Sequence, residues 1–229
     1  MSGSKSLSTY AYDKLKDMIL NNEFAPGFHL EEKYICELLG ISRTPIREAL
    51  NRLVYEKLLI SVPKKGIYVP SLSVQSIAEL FQARKLIEPM VLMLSAKNLD
   101  GETLQNFRAK TLALIRDEDI SAIHRLDYDF HAYINSCCNN QHIQRTVDYI
   151  SDLFQCVRTQ DFYPMERALN GAHEHIEIID NILDRQYDVL PQLMLNHITS
   201  TETFYFKSLQ NTSVSDSYIQ FLTSTLPKN

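Results

Sequence analysis

Asp127, His131, His175 and His197 are one carboxylate and three imidazoles, a donor set that suits a divalent transition metal. Asp127 and His131 stand four residues apart, so on a helix both side chains leave one face and can converge on a single point. His175 and His197 each sit among apolar neighbours in later segments, and a helical bundle can bring such segments together at its centre. Three imidazoles favour a transition metal, zinc first and then nickel or manganese, over magnesium or calcium. Spacing alone leaves a second reading open, in which Asp127 and His131 are an ordinary helical pair and the other two are core or surface histidines with satisfied hydrogen bonds. A metal with an open position can also activate water, which makes a hydrolytic enzyme a further alternative. No general base accompanies the four residues.

A second group points to different chemistry. Arg43 and Arg47 lie in the run Gly40-Ile41-Ser42-Arg43-Thr44-Pro45-Ile46-Arg47-Glu48-Ala49-Leu50. Gly40 gives a tight turn, Ser42 is placed as an N-cap, and Pro45 falls in the first helical turn, where a missing N–H costs little. Ile46, Ala49, Leu50 and Leu53 recur at i, i+3, i+4 and i+7 and give the helix one buried face. Both guanidinium groups then leave the solvent side near the positive end of the helix. A helix of this kind can enter the major groove of DNA. The alternative is a small three-helix core whose surface charges bind nothing.

The elements that must position these groups follow from periodicity. A first helix is predicted over about 9–22 with Tyr12, Leu15, Ile19 and Leu20 on one face, and Pro26-Gly27 turns the chain after it. A second helix, about 31–39, takes Leu30, Tyr34, Ile35, Leu38 and Leu39 as its inner side, and the third spans about 42–54. Residues 58–62 and 66–69 read as two short strands joined at Pro63-Lys64-Lys65-Gly66, with Gly66 free to take a positive φ. Residues 1–70 therefore predict a winged helix-turn-helix, with residues 1–8 loose and residues 71–73 as a linker. Beyond it, 74–97, 102–116, 120–138, 141–160, 166–186 and 188–210 carry apolar residues at helical spacing, with breaks such as Phe162–Pro164 between them. The fold class is mainly α: the winged head, then an antiparallel bundle of six or seven helices over 74–212, then a tail over 213–229.

Composition agrees with two ordinary globular domains, at 229 residues, 45 % apolar and 22 % charged. The net charge of −5 argues against nucleic acid until it is divided. Residues 1–70 carry 10 Lys and Arg against 8 Asp and Glu, a balance of +2, and the remainder carries 13 against 20, a balance of −7. A slightly basic head would meet phosphates while the acidic body stays clear of them. No apolar run is long enough to cross a membrane and no secretory segment is evident, so a cytoplasmic location is expected. Cys36, Cys137, Cys138 and Cys156 lack a CxxC spacing and are expected to be reduced, buried thiols.

The head resembles the DNA-binding domain of GntR-type bacterial transcription regulators. The resemblance is carried by Pro26-Gly27, Leu30-Glu31-Glu32, the segment Leu39 to Leu53 and Gly66-Ile67-Tyr68-Val69. It implies a DNA-contacting set of Lys33, Arg43, Thr44, Arg47, Lys65 and Gly66, with the two arginines in the major groove and the wing tip at the minor groove. Lys33 stands where many members have arginine, and lysine lacks the bidentate fork. Residues 73–210 resemble the all-helical FCD effector domain of the FadR-like branch, through Leu126-Asp127-xxx-His131, Asn139-Asn140, Glu174-His175 and Asn196-His197-Ile198. That resemblance implies a metal held by Asp127, His131, His175 and His197. It also implies a small carboxylate effector with Arg84 near it, although Arg84 can equally be a helix-surface residue paired with Glu88. His124, His142 and His173 match no position in the pattern. Arg185-Gln186 replaces a common Gly-Asp between the last ligand helices. The expected protein is a homodimeric, ligand-responsive repressor on a palindromic operator, with a metal-responsive regulator as the alternative.

Overall fold

The structure is a computed structural model that describes residues 6–157 and 165–210. The tail predicted over 213–229, the end of the helix predicted to 160 and the break at Phe162–Pro164 lie outside the described residues. The chain divides into two compact units, the second beginning at Val74.

The first unit is built on α1 (Leu7–Leu20), α2 (Glu32–Leu39) and α3 (Arg43–Tyr55), followed by β1 (Ile60–Val62) and β2 (Gly66–Tyr68). The α1 helix starts earlier than its apolar pattern implies because the Ser6 hydroxyl accepts from the Thr9 amide and caps it. Its Leu15 and Ile19 pack on α3, whose Ile46, Ala49, Leu50 and Leu53 are all fully buried. The strands are shorter than predicted. The Leu58 and Leu59 amides both donate to the Leu53 carbonyl, so these two residues close the end of α3 and fill the core before the hairpin begins. The hairpin is antiparallel, with Ile60 opposite Tyr68 and Val62 opposite Gly66. The inner side of α2 is narrower than predicted: Leu30 and Ile35 are buried, whereas Tyr34 and Leu38 are each 44 % exposed. An eight-residue helix resting on α3 turns only one edge inward.

The second unit is a helical bundle of α4 (Val74–Ser95), α5 (Gly101–Asp117), α6 (Ile120–Ser136), α7 (Gln141–Val157), α8 (Met165–Leu183) and α9 (Leu190–Gln210). Asp100 and Asp119 cap α5 and α6 by accepting from the amides of Thr103 and Ala122. The α8 helix packs against α5, α6 and α9, and α4 lies along α9. The connection from α8 to α9 is a single 3₁₀ turn, Tyr187–Val189, entered through Arg185 at φ +58°. That left-handed position is one glycine occupies without steric cost. None of the four cysteines forms a disulfide among the described residues, but only Cys138 is buried; Cys36, Cys137 and Cys156 are half-buried, which corrects the expectation for those three.

Candidate functional site

In the head, Gly40 ends α2 at φ +66° and Ser42 opens α3 with extended backbone, though its hydroxyl makes no capping hydrogen bond. With the apolar face of α3 turned to the core, Arg43, Thr44 and Arg47 are exposed on the other side. The two arginines differ. Arg47 donates from Nε to Glu32 Oε1 at 2.9 Å and from Nη2 to Glu32 Oε2 at 2.8 Å, an ion pair that ties the front of α3 to the first turn of α2. The bond from Arg47, with Arg43 adding its field, holds the Glu32 carboxyl below the usual carboxylate range. Lys33 is exposed, with its Nζ 4.0 Å from Glu37 one turn along. Lys65 and Gly66 are exposed on the hairpin. Gly66 sits at φ +114°, and a Cβ there would run into the His29 imidazole, which stacks on Tyr68. Its freedom is thus needed locally, whatever the wing touches.

In the body, α6 supplies Asp127 and His131, α8 supplies His175 and α9 supplies His197. Each offers a ligand atom, and these atoms all lie within 4.8 Å of one another. His131, His175 and His197 are 7 %, 4 % and 2 % exposed, and His175 Nε2 is 3.6 Å from Asp127 Oδ1. Nε2 of His131 and Nε2 of His197 are buried with no hydrogen-bond partner among the described residues. Burial keeps His197 below the ordinary histidine range despite its bond to Glu174. Three clustered imidazoles beside a carboxylate fit a transition metal in donor type and number.

Two matching relays hold the outer nitrogens. Glu174 Oε2 lies 2.7 Å from His197 Nδ1, and the same carboxylate accepts from Arg167 Nη1 at 2.9 Å and Nη2 at 2.6 Å. Arg167 is 2 % exposed and donates also to the Thr201 hydroxyl. On the other side Glu88 Oε2 lies 3.4 Å from His131 Nδ1, while Arg84 Nε donates to Glu88 Oε1 at 2.5 Å. Burial works to raise both carboxyls. For Glu88, Arg84 and then His131 outweigh it and hold the group far below the usual range. For Glu174, His197 and Arg167 bring it down to about 2. Both carboxylates are therefore acceptors, and each fixes its histidine with Nδ1–H outward and the Nε2 lone pair inward.

Arg84 is paired with Glu88, but in the core and not on the helix surface: it is 2 % exposed, with its guanidinium 3.7 Å over the Phe154 ring. Its Nη1 has no hydrogen-bond partner among the described residues. Two small cavities flank Asp127, each with room on the order of one water molecule. One is lined by Leu126, Phe130 and His175, the other by His124, Arg167, Gly171, His197 and Thr201. His142 and His173 are exposed, whereas His124, also left out of the sequence pattern, reaches this second cavity. The roles of Glu88, Arg167, Glu174 and Thr201 were missed. The i,i+4 spacing of Arg84 and Glu88 signalled their pair, but nothing local signalled the reach of Glu88 to His131.

Comparison with known proteins separates these readings. The family model of the FCD domain matches residues 79–200, and that of bacterial regulatory proteins of the gntR family matches residues 7–69. The chain belongs to the GntR family and carries an FCD domain. The transcriptional regulator YdhC of Bacillus subtilis is 26 % identical over 190 residues, covering 81 % of this chain and 85 % of YdhC. The transcriptional repressor RspR of Escherichia coli is 24 % identical over 191 residues, covering 82 % and 83 %. The solved structure of E. coli McbR/YncC superposes with a TM-score of 0.75 at 19 % identity, covering 89 % of this chain and 99 % of that one, which shows the shared fold. This GntR protein is a transcription regulator and not an enzyme, so the hydrolytic alternative falls. Among the described residues no helix is long and apolar enough to cross a membrane.

Proposed function

We propose that this regulator is a cytoplasmic homodimeric repressor whose heads bind a palindromic operator and whose body responds to a small carboxylate metabolite at a metal centre. The observation that carries the reading is the joining, in one chain, of an exposed basic front on α3 with a cluster of three buried histidines and a half-buried aspartate. Arg43, Thr44 and Arg47 are the side chains that would meet bases. Lys33 and Lys65 would meet phosphates, and Gly66 would bring the wing tip close to the minor groove. Two heads are needed because one short helix reads few base pairs. An apolar stripe along α4 supports a dimer, since Leu86 and Met90 are 76 % and 55 % exposed and a second copy would cover them. RspR, a named repressor, supports the sign of regulation.

Asp127, His131, His175 and His197 would hold zinc, with nickel or manganese as the other candidates. The ion would supply a Lewis-acid position for an effector carboxylate. Arg84 Nη1 is a buried donor left for the same anion. Effector binding shifts DNA affinity only through a difference in its affinity for the two states of the body. The test is metal analysis of the purified protein together with binding to duplex DNA. One equivalent of transition metal per chain is expected, absent in His131→Ala. Metal-free wild-type protein after exposure to zinc, nickel and manganese would remove the metal-centred part.

The small size of the cavities beside the cluster favours a second reading, in which the ion is itself the signal. DNA affinity that tracks added zinc with no organic acid present would select it.

A further inference from the structure

We infer that Glu32 sets the base preference of Arg47, holding the guanidinium by one edge so that its other edge is presented to a guanine in the operator. The inference rests on the reading of α3 as the DNA-contacting helix.

A guanidinium carries five N–H donors in one rigid plane. Arg47 gives Nε and one N–H of Nη2 to the two oxygens of Glu32, a side-on pair in which both bonds are short. The donors left over are the pair on Nη1 and the second N–H of Nη2, and one N–H from each of these nitrogens points off the end of the fork. That end is the edge that fits guanine O6 and N7 in the major groove. The Glu32 pair and a guanine contact can therefore coexist in one plane. An unbuttressed arginine at this exposed position would spread over many rotamers and reach phosphates as readily as bases. Glu32 itself belongs to the first turn of α2, where an acidic side chain is favoured by the helix end, so the buttress is fixed to a different element from the arginine it holds. Arg43, on the same exposed front, makes no such carboxylate pair among the described residues.

Glu32 also places a negative charge on the side that approaches phosphate. Its removal should therefore act with opposite sign on two quantities. Affinity for unrelated DNA should rise as the repulsion is lost, while discrimination at one base pair should fall as Arg47 loses its aim.

The experiment uses full-length wild-type protein, Glu32→Gln and Arg47→Lys. Sites are selected by the wild type from a randomised duplex pool, and binding is then measured at one salt concentration. The probes are the selected duplex, its single base-pair variants and an unrelated duplex. The wild type is expected to select an inverted repeat with a G·C pair in each half-site whose replacement weakens binding about tenfold or more. Glu32→Gln should reduce that penalty to under about threefold at the same pair only, and should bind the unrelated duplex at least as tightly as the wild type. Arg47→Lys should lose discrimination at the same pair. Thermal melts should show all three proteins folded. Full discrimination retained in Glu32→Gln, loss spread evenly over all positions, or loss at a pair other than the one Arg47→Lys affects would each overturn the inference while leaving DNA recognition intact. A folded wild type that selects no sequence would overturn the DNA reading and this inference with it.

Discussion

Arg47–Glu32 in the head and Arg84–Glu88 in the body are the same two residue types joined by the same side-on bonds, yet they sit in opposite surroundings. The head pair has side chains 64 % and 33 % exposed; the body pair is 2 % and 4 % exposed. Water screens the first, so it adds little to stability and leaves the far end of the Arg47 fork open to solvent. The second has no water to fall back on, and losing either member strands a charge in the core. Position alone leaves one ion pair open to solvent and makes the other a buried support beside a histidine.

The buried pair should be the more costly to break. Arg84→Ala should destabilise the body by about 3–5 kcal/mol, measured by chemical denaturation, because Glu88 is left buried without its cation. Replacing both members by apolar residues of similar size should cost far less, which separates the stranded charge from the loss of packing. Next in size is the other relay. Glu174→Gln should weaken zinc binding about 10- to 100-fold by titration calorimetry, with an unchanged far-ultraviolet spectrum, since the amide no longer fixes the His197 tautomer as a carboxylate does. A smaller effect of opposite sign is expected between α8 and α9. Arg185→Gly should stabilise the protein by about 0.5–1 kcal/mol, because glycine takes the φ of +58° without strain. Least of all, Glu32→Gln should leave the melting midpoint unmoved, and its consequence should appear only on DNA.

These expectations mark what a sequence exposes. The head was legible because its signals are local: the Ile46–Leu53 spacing buries one face of α3, and Gly40 and Gly66 both take the positive φ their turns need. The four candidate ligands were named because Asp127 and His131 share a helix face and the later histidines match a family pattern; the three imidazole rings are packed with centroids 4.6–5.4 Å apart. Their supports were not legible. Glu88 meets a histidine on α6 from α4, and Arg167 meets Thr201 on α9 from α8, so each contact depends on how helices rotate against one another. Tyr34 and Leu38 were assigned inward by periodicity, but a short helix has too little width of contact to cover them. The cost of Arg185 at the connection between α8 and α9 is visible only in its backbone angle.

DNA footprinting with the full-length, metal-loaded regulator on a duplex it has itself selected tests DNA recognition most directly. Protection of two half-sites related by a two-fold axis, abolished when Arg43 and Arg47 are both replaced by alanine, is the predicted result. A folded, dimeric protein that protects no sequence would contradict it.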